Sequence, residues 1–169
     1  MVCVPEDAAP DVVRSIRDVR GEIVIRSSVP PGTTTSLSKE LRRLIWHNPE
    51  FLREAMAESD FLHVRQAILG SPVWVGREGV AVISPVEAMY QDMGIPTYRC
   101  SSTESELVKL LTNAYLATLI STWNDFSVLC RHFNVNSHTV ARLVALDPRV
   151  SEYGAYQHGA AYGGRCLPK

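Results

Sequence analysis

The 169 residues contain no apolar run near the length of a membrane span and no cluster of basic residues. A spanning helix needs about 20 consecutive apolar residues, and nucleic-acid binding leaves a basic patch or stripe. Neither a membrane nor a nucleic acid is therefore expected as a partner. An excess of one charge is also missing: 17 Lys and Arg face 18 Asp and Glu, for a formal net charge of −1. The opening, MVCVPEDAAP, lacks the basic start of a secretory signal, so a cytoplasmic protein is expected. Cysteine is sparse, and none of Cys3, Cys100, Cys130 and Cys166 pair at CxxC spacing. That leaves no pattern for structural zinc or a thioredoxin-like couple, and free thiols are the expectation in a reducing compartment. His47, His63, His132, His138 and His158 never fall at HExxH spacing, so no metal is expected either. The glycine fingerprint GxGxxG occurs nowhere.

What is present is a globular composition, 46% hydrophobic and 21% charged, in a chain long enough for an ordinary core. MVCV reads as a short strand halted by Pro5. PDVVRSIRDV, with Val12, Val13, Ile16 and Val19 at helical spacing, reads as a helix. GEIVIRSS reads as a strand. VPPGTT is a turn, after which Thr33, Thr34 and Thr35 offer caps for a helix over SLSKELRRL. LIWHNPE gives another strand running into a loop. This strand–helix alternation predicts an α/β fold with a partial Rossmann-like parallel sheet of about three to five strands. QAILGSPVWVGREGVAVIS holds further strand material, SPVEAMYQDM a helix capped by Ser84, and IPTYRC a strand.

STESELVKLLTNAYLATLISTWNDFSVLCRHF contains neither Gly nor Pro and predicts one helix of about 30 residues. Ser102 or Thr103 with Glu106 reads as its capping box. Leu107, Leu110, Leu111, Ala114, Ala117, Thr118 and Ser121 mark its expected apolar face. A helix longer than such a core requires is expected to pack against its own copy, in a homodimer or higher oligomer. A second helix over SHTVARLVALD follows Asn136. The expected division is residues 1–101 as a partial cofactor-binding domain and 102–169 as a helical dimerisation and catalytic segment.

Several polar residues sit where chemistry could use them. Lys109 and Asn113 stack one turn apart on the long helix, and Asn124 falls near the same line. The stripe either faces water or lines a pocket in which Lys109 stabilises an oxyanion. Glu50 and Asp147, beside turn residues, could act as bases. Cys166 follows Gly159, Gly163 and Gly164, which let backbone approach a ligand closely. His158 lies near enough in sequence to suggest a Cys–His hydrolase as a rival.

Taken in order, VPED, SSVPPGTT, NPEFLREAMAESD, KLLTN with WND, DPRV and GGRCLPK resemble the UDP-glucose/GDP-mannose dehydrogenase family across essentially the whole chain. The resemblance implies NAD-dependent oxidation of a nucleotide sugar, such as UDP-glucose, at its C6 alcohol, carried to the carboxylate through a Cys166 thiohemiacetal and thioester. It gives Lys109 and Asn113 the developing charge on the C6 oxygen, Asp147 proton transfer, Glu50 thioester hydrolysis and Ser28 a water. Phe51, Leu52, Arg53, Glu54, Tyr162 and Gly163 are implied contacts of the sugar nucleotide, and Pro5, Ser28 and Lys169 of NAD. Against the family pattern the chain is expected to be truncated at both ends, without the GxGxxG unit that accepts a pyrophosphate. Arg165 before the thiol, Ala161 and Tyr162 in the glycine run, Asp125, and Val64-Arg65-Gln66 depart from the family pattern. The alternative expectation is a non-catalytic dimeric binding or scaffold remnant.

Overall fold

A computed structural model describes residues 1–53, 56–72 and 84–161. They fall into two compact units, Met1–Leu110 and Leu111–Lys169. The first is built on a four-stranded sheet in the order β1 (Ile23–Ile25), β2 (Ile45–His47), β3 (Ala67–Ser71), β4 (Thr97–Ser101). β1 and β2 pair in parallel, as do β3 and β4. The expected α/β class is thus observed. The opening MVCV contributes only a parallel bridge from Val2 to Ile25. β2 and β3 instead run antiparallel through His47 and Gly70. Among the described residues their connection carries only α3 (Ala57–Leu62), which buries no residue. With no crossover helix laid on the sheet, the antiparallel arrangement is the direct one.

Both faces of β1 and β2 are covered, which is why these strands read as continuous apolar runs. Ile23, Ile25 and Ile45 pack with Ala9 and Val13 of α1 (Ala9–Ser15) and Leu37 of α2 (Thr33–Leu41). Val24, Trp46 and Leu69 form the opposite cluster against Val86 of α4 (Pro85–Asp92). Burying each such side chain contributes about 1.5–3 kcal/mol. Ser84 caps α4 by accepting from the Val86 N–H, as expected.

Two caps differ from expectation. α2 begins at Gly32, with φ of +92°, and no side chain of its own caps it. The three threonines lie inside the first turn, so they cannot take the extended cap conformation. Glu106 caps α2 from a distance: one carboxylate oxygen accepts from the Gly32 N–H at 2.5 Å and the other from the Thr34 N–H at 2.8 Å. The box that opens α5 (Ser102–His132) is therefore not Ser102 or Thr103 with Glu106. It is Ser101 with Glu104: the Ser101 N–H donates to the Glu104 carboxylate at 2.7 Å, and the Glu104 N–H to the Ser101 hydroxyl at 3.2 Å.

The 31 residues of α5 match the expected long helix, but of its expected apolar face only Ala117 is buried. Leu107 and Leu111 are exposed, whereas Ser105, Glu106, Lys109, Ala117, Ile120, Trp123, Ser127 and Cys130 are buried. Polar groups with partners displaced leucines from the inner face, and spacing alone carries no such information. In the second unit α6 (Ser137–Val144) and α7 (Glu152–Gln157) enclose Trp123, Ala141 and Ala155. Asn136 caps α6 and Ser151 caps α7. α7 was not expected from its Gly-containing sequence. Gly154 is there because a Cβ would stand 2.7 Å from the Leu119 carbonyl oxygen. Among the described residues no helix is long and apolar enough to cross a membrane.

Candidate functional site

Pro49 stops β2, and the chain that follows is pinned by the residue before it. The Asn48 side chain donates to the Ile68 carbonyl at 2.8 Å and accepts from the Tyr90 hydroxyl at 2.9 Å. Glu50, Phe51, Leu52 and Arg53 then run along a cleft of about 650 Å³, whose other walls include Arg26 and Asp60. One turn past the Ser105 contact described below, α5 delivers Lys109 to this segment. Its ammonium donates to the Glu50 carbonyl, pairs with the Glu50 carboxylate at 3.1 Å and lies 5.2 Å from the centre of the Phe51 ring. The Lys109 side chain is only 4% exposed, against 29% for Glu50. An unpaired buried ammonium would be strongly destabilising, so carboxylate, carbonyl and aromatic face together make the position tenable. The other Glu50 oxygen accepts from the Leu52 N–H at 2.7 Å, which fixes the carboxylate.

His47 braces this arrangement from below. Fully buried, it meets the Ser27 carbonyl through Nε2 at 3.2 Å and the Ser105 hydroxyl through Nδ1 at 2.9 Å. A carbonyl only accepts, so Nε2 carries the proton and Nδ1 accepts from Ser105. Burial pushes the imidazole down to about 4; the nearby Lys109 charge acts in the same direction, and the Ser27 carbonyl acts against both. In the unfolded chain the ring takes a proton near pH 6.5, whereas in the folded chain it resists until about pH 4. Stability from this group is complete above the higher value and falls as pH drops toward the lower one, by about 3 kcal/mol. Urea unfolding at the two ends of that window should show a smaller acid loss in His47→Gln than in the natural chain. Equal losses would exclude His47 as the source.

Arg53 is tied to Asp60 through its Nε at 2.9 Å and its terminal nitrogen at 2.6 Å, and this guanidinium holds the Asp60 carboxyl down near 2. Ser28 is nearly buried beyond the end of β1, next to the carbonyl that holds His47, and Pro5 is exposed. Asn113 stands one turn past Lys109 on α5 and belongs to the second unit. Asp147, also in that unit, pairs with Arg149 at 2.6 Å, which keeps its carboxyl below the usual range. Asn124 turns its amide onto the main chain of Gly159 and Ala160. Lys109 and Asn124, though on one stripe of α5, therefore serve different segments of the chain. Glu54, Tyr162, Gly163, Cys166 and Lys169 lie outside the described residues. Cys3, Cys100 and Cys130 are free thiols. Both nitrogens of His158 are engaged, by the Ala155 carbonyl and the Ser137 hydroxyl, which counts against a hydrolase base. Among the described residues no three His, Cys, Asp or Glu gather as a metal site would require.

Sequence reasoning brought Lys109 and Glu50 forward for separate reasons, and the structure joins them. It missed His47, Ser105, Glu106 and Tyr90. The signal for Ser105 was its four-residue spacing from Lys109, which puts both on one helix face.

Comparison with known proteins adds an independent line. Residues 103–169 match the model of the UDP-glucose/GDP-mannose dehydrogenase family, central domain. The UDP-glucose 6-dehydrogenase of Rickettsia typhi is 32% identical over 152 residues, 87% of this chain and 34% of that protein. The UDP-glucose 6-dehydrogenase of Campylobacter jejuni is 31% identical over 164 residues, 94% of this chain and 40% of its own length. Among solved structures, a UDP-glucose dehydrogenase from the hyperthermophilic archaeon Pyrobaculum islandicum superposes with a TM-score of 0.77 at 30% identity. That match covers 96% of this chain and 38% of the other. The chain spans less than half the length of these relatives. By matches that together run along nearly all of its residues, it belongs to the UDP-glucose/GDP-mannose dehydrogenase family.

Proposed function

We propose that this chain is the sugar-handling part of a nucleotide-sugar 6-dehydrogenase, with residues 1–101 as a partial Rossmann-like domain and 102–169 as a helical catalytic and dimerisation segment. The observation that carries the reading is the buried Lys109 ammonium held against Glu50 and Phe51 at the edge of the cleft. Ammonium and carboxylate fall on the two positions to which family likeness gives oxyanion stabilisation and hydrolysis. Lys109 would move from Glu50 to the C6 oxygen of the sugar and offer positive charge there, in a site too dry to screen it. Once released, the Glu50 carboxylate is the group able to take a proton from an attacking water. Cys166 is the proposed thiol that captures the C6 aldehyde carbon, the carbonyl oxygen taking the proton. Asn113 is the proposed amide partner of Lys109, and Asp147 a proton carrier kept anionic by Arg149.

NAD, the cofactor implied by family likeness, does not fit the described residues. A pyrophosphate needs open N–H groups at a helix N-terminus behind a glycine turn. α2 starts behind Gly32, but the Glu106 carboxylate already occupies its Gly32 and Thr34 N–H groups. Pro5 and Ser28 would supply at most one wall. The chain's own contribution lies on the sugar side.

A second reading, a dimeric binding module, is favoured by the exposed apolar residues Leu111, Tyr115, Phe126 and Leu129 along α5. Calorimetry and light scattering separate the two. UDP-glucose should release heat on binding to the whole chain, about tenfold more weakly in Lys109→Met, while NAD reduction is slow or absent. Any NADH formed should vanish in Cys166→Ser. A dimer that takes up neither UDP-glucose nor NAD would replace the dehydrogenase reading with the module.

A further inference from the structure

The cleft beside the Glu50–Arg53 segment meets the sheet on the face turned away from α5. Val24 and Trp46 pack against Val86 of α4, and side chains two residues apart along a strand share a face. Arg26 and Asn48, just past β1 and β2, therefore look toward α4, whose Tyr90 hydroxyl donates to Asn48. His47, between Trp46 and Asn48, points the other way, to Ser105 of α5. Lys109, one turn beyond Ser105, reaches Glu50 from that second face and is not among the described residues lining the cleft. Open α/β sheets take ligands in crevices beyond the carboxyl ends of their strands, which is where Arg26 and Asn48 stand. All the described walls belong to the first unit.

Charge in the cleft is unbalanced. Of fully ionised side chains, its described walls carry Arg26, Arg53 and Arg65 against Glu50 and Asp60. Asp60 is taken by Arg53, and Glu50 by Lys109. Arg26 and Arg65 are left with no side-chain partner among the described residues, and the Arg26 Nε is buried without a hydrogen bond. A buried N–H on a cation is costly to leave unmatched, and native folds leave few such groups. Arg65 lies in Val64-Arg65-Gln66, a stretch that departs from the family pattern, so the excess charge is a property of this chain.

We propose that this cleft is a phosphate-binding site, with the half-buried Arg26 guanidinium inside it and the exposed Arg65 at its rim, separate from the place where Lys109 meets Glu50. A guanidinium presents Nε–H and an Nη–H as a parallel fork that two phosphate oxygens match. A single carboxylate neutralises one arginine and leaves the other, whereas a phosphate dianion answers both. The volume of about 650 Å³ exceeds a bare phosphate, and Phe51, Leu52, Val64 and Tyr90 supply apolar wall for an organic group. Free phosphate and a small phosphomonoester share this chemistry.

Calorimetry on the whole chain, with inorganic phosphate and phenyl phosphate as probes, tests the site. Both should bind saturably. Arg26→Gln should weaken each by about tenfold or more, and Arg65→Gln, at the solvated rim, by about threefold. Arg26→Lys keeps the charge without the fork, so its affinity should fall between those of the natural chain and Arg26→Gln. Tighter binding of phenyl phosphate than of inorganic phosphate assigns the site to a phosphomonoester, and equal affinities assign it to free phosphate. Without phosphate, the urea midpoint of Arg26→Gln should match or exceed the natural one, because an unpaired charge has been removed. Absence of saturable binding by both probes, or equal affinities in Arg26→Gln and the natural chain, overturns the proposal. UDP-glucose tests the separation: its affinity should hold in Arg26→Gln and fall in Lys109→Met. A parallel fall in both variants would merge the cleft with the nucleotide-sugar site and overturn the second site. Phosphate binding without any uptake of UDP-glucose would overturn the dehydrogenase reading alone.

Discussion

Glu106→Ala is expected to destabilise the first unit by about 4 kcal/mol. Each of its two bonds to α2 joins a carboxylate to a backbone N–H, and hydrogen bonds to a charged group contribute about 1.5–3 kcal/mol apiece. The side chain is 1% exposed, so water cannot readily replace it. Its oxygens also sit at the positive end of α2, where a negative charge is favoured. Removing it leaves the Gly32 and Thr34 N–H groups without an acceptor in a dry place. Glu106→Gln keeps one carbonyl oxygen, and its second terminal atom is a donor facing a donor. It should therefore recover no more than about half the loss. Urea unfolding of the three proteins checks this. Two variants within about 0.5 kcal/mol of the natural chain would show that α2 does not depend on its remote cap.

Gly70→Ala should cost about 3 kcal/mol, the upper end for overpacking. A Cβ on Gly70 would meet the Ser105 Cβ at 2.5 Å and the Ser102 Cα at 2.9 Å. The second of these is main chain and cannot rotate away, so β3 and the start of α5 must separate. The consequence extends beyond stability, because Ser105 donates to His47 and Lys109 is the next turn of the same helix. The imidazole resonances of His47 should shift in the variant. Adding Ser105→Gly relieves the 2.5 Å contact but leaves the one to Ser102, so rescue should be less than half. Full rescue would show that the side chain, rather than the helix backbone, sets the limit.

The contrast between these two residues shows what could be read beforehand. Apolar periodicity located β1, β2, β4, α1, α2, α4, α5 and α6, because burial of Ile, Val and Leu leaves its spacing in the chain. Ser84 was legible as a cap because its partner lies two residues away. Glu106 was not, since its partners are 74 and 72 residues distant and any nearby serine makes a plausible local box. The inner face of α5 was misassigned for a related reason. Ser105, Glu106 and Lys109 are buried because His47, Gly32, Thr34 and Glu50 complete them, and a hydropathy pattern has no term for a distant partner. Lys109 and Glu50 could be singled out from motif likeness. Their ion pair required the turn at Asn48-Pro49, held by Tyr90 and Ile68, to be seen in three dimensions.

Among the described residues the sheet has no hairpin. Its pairings join residues 22, 23 and 30 positions apart, as in Ile23 with Ile45, His47 with Gly70, and Ala67 with Thr97. Closing loops of that size must precede any reward from strand contact, so these pairings form slowly. Helical turns along α5 involve neighbours only and form on the submicrosecond scale. The rod is thus transiently made before the strands it will brace, and Glu106 carries its charge in water until Gly32 arrives. Refolding should be paced by assembly of the sheet, with helical signal appearing ahead of protection at Ile25 and Leu69.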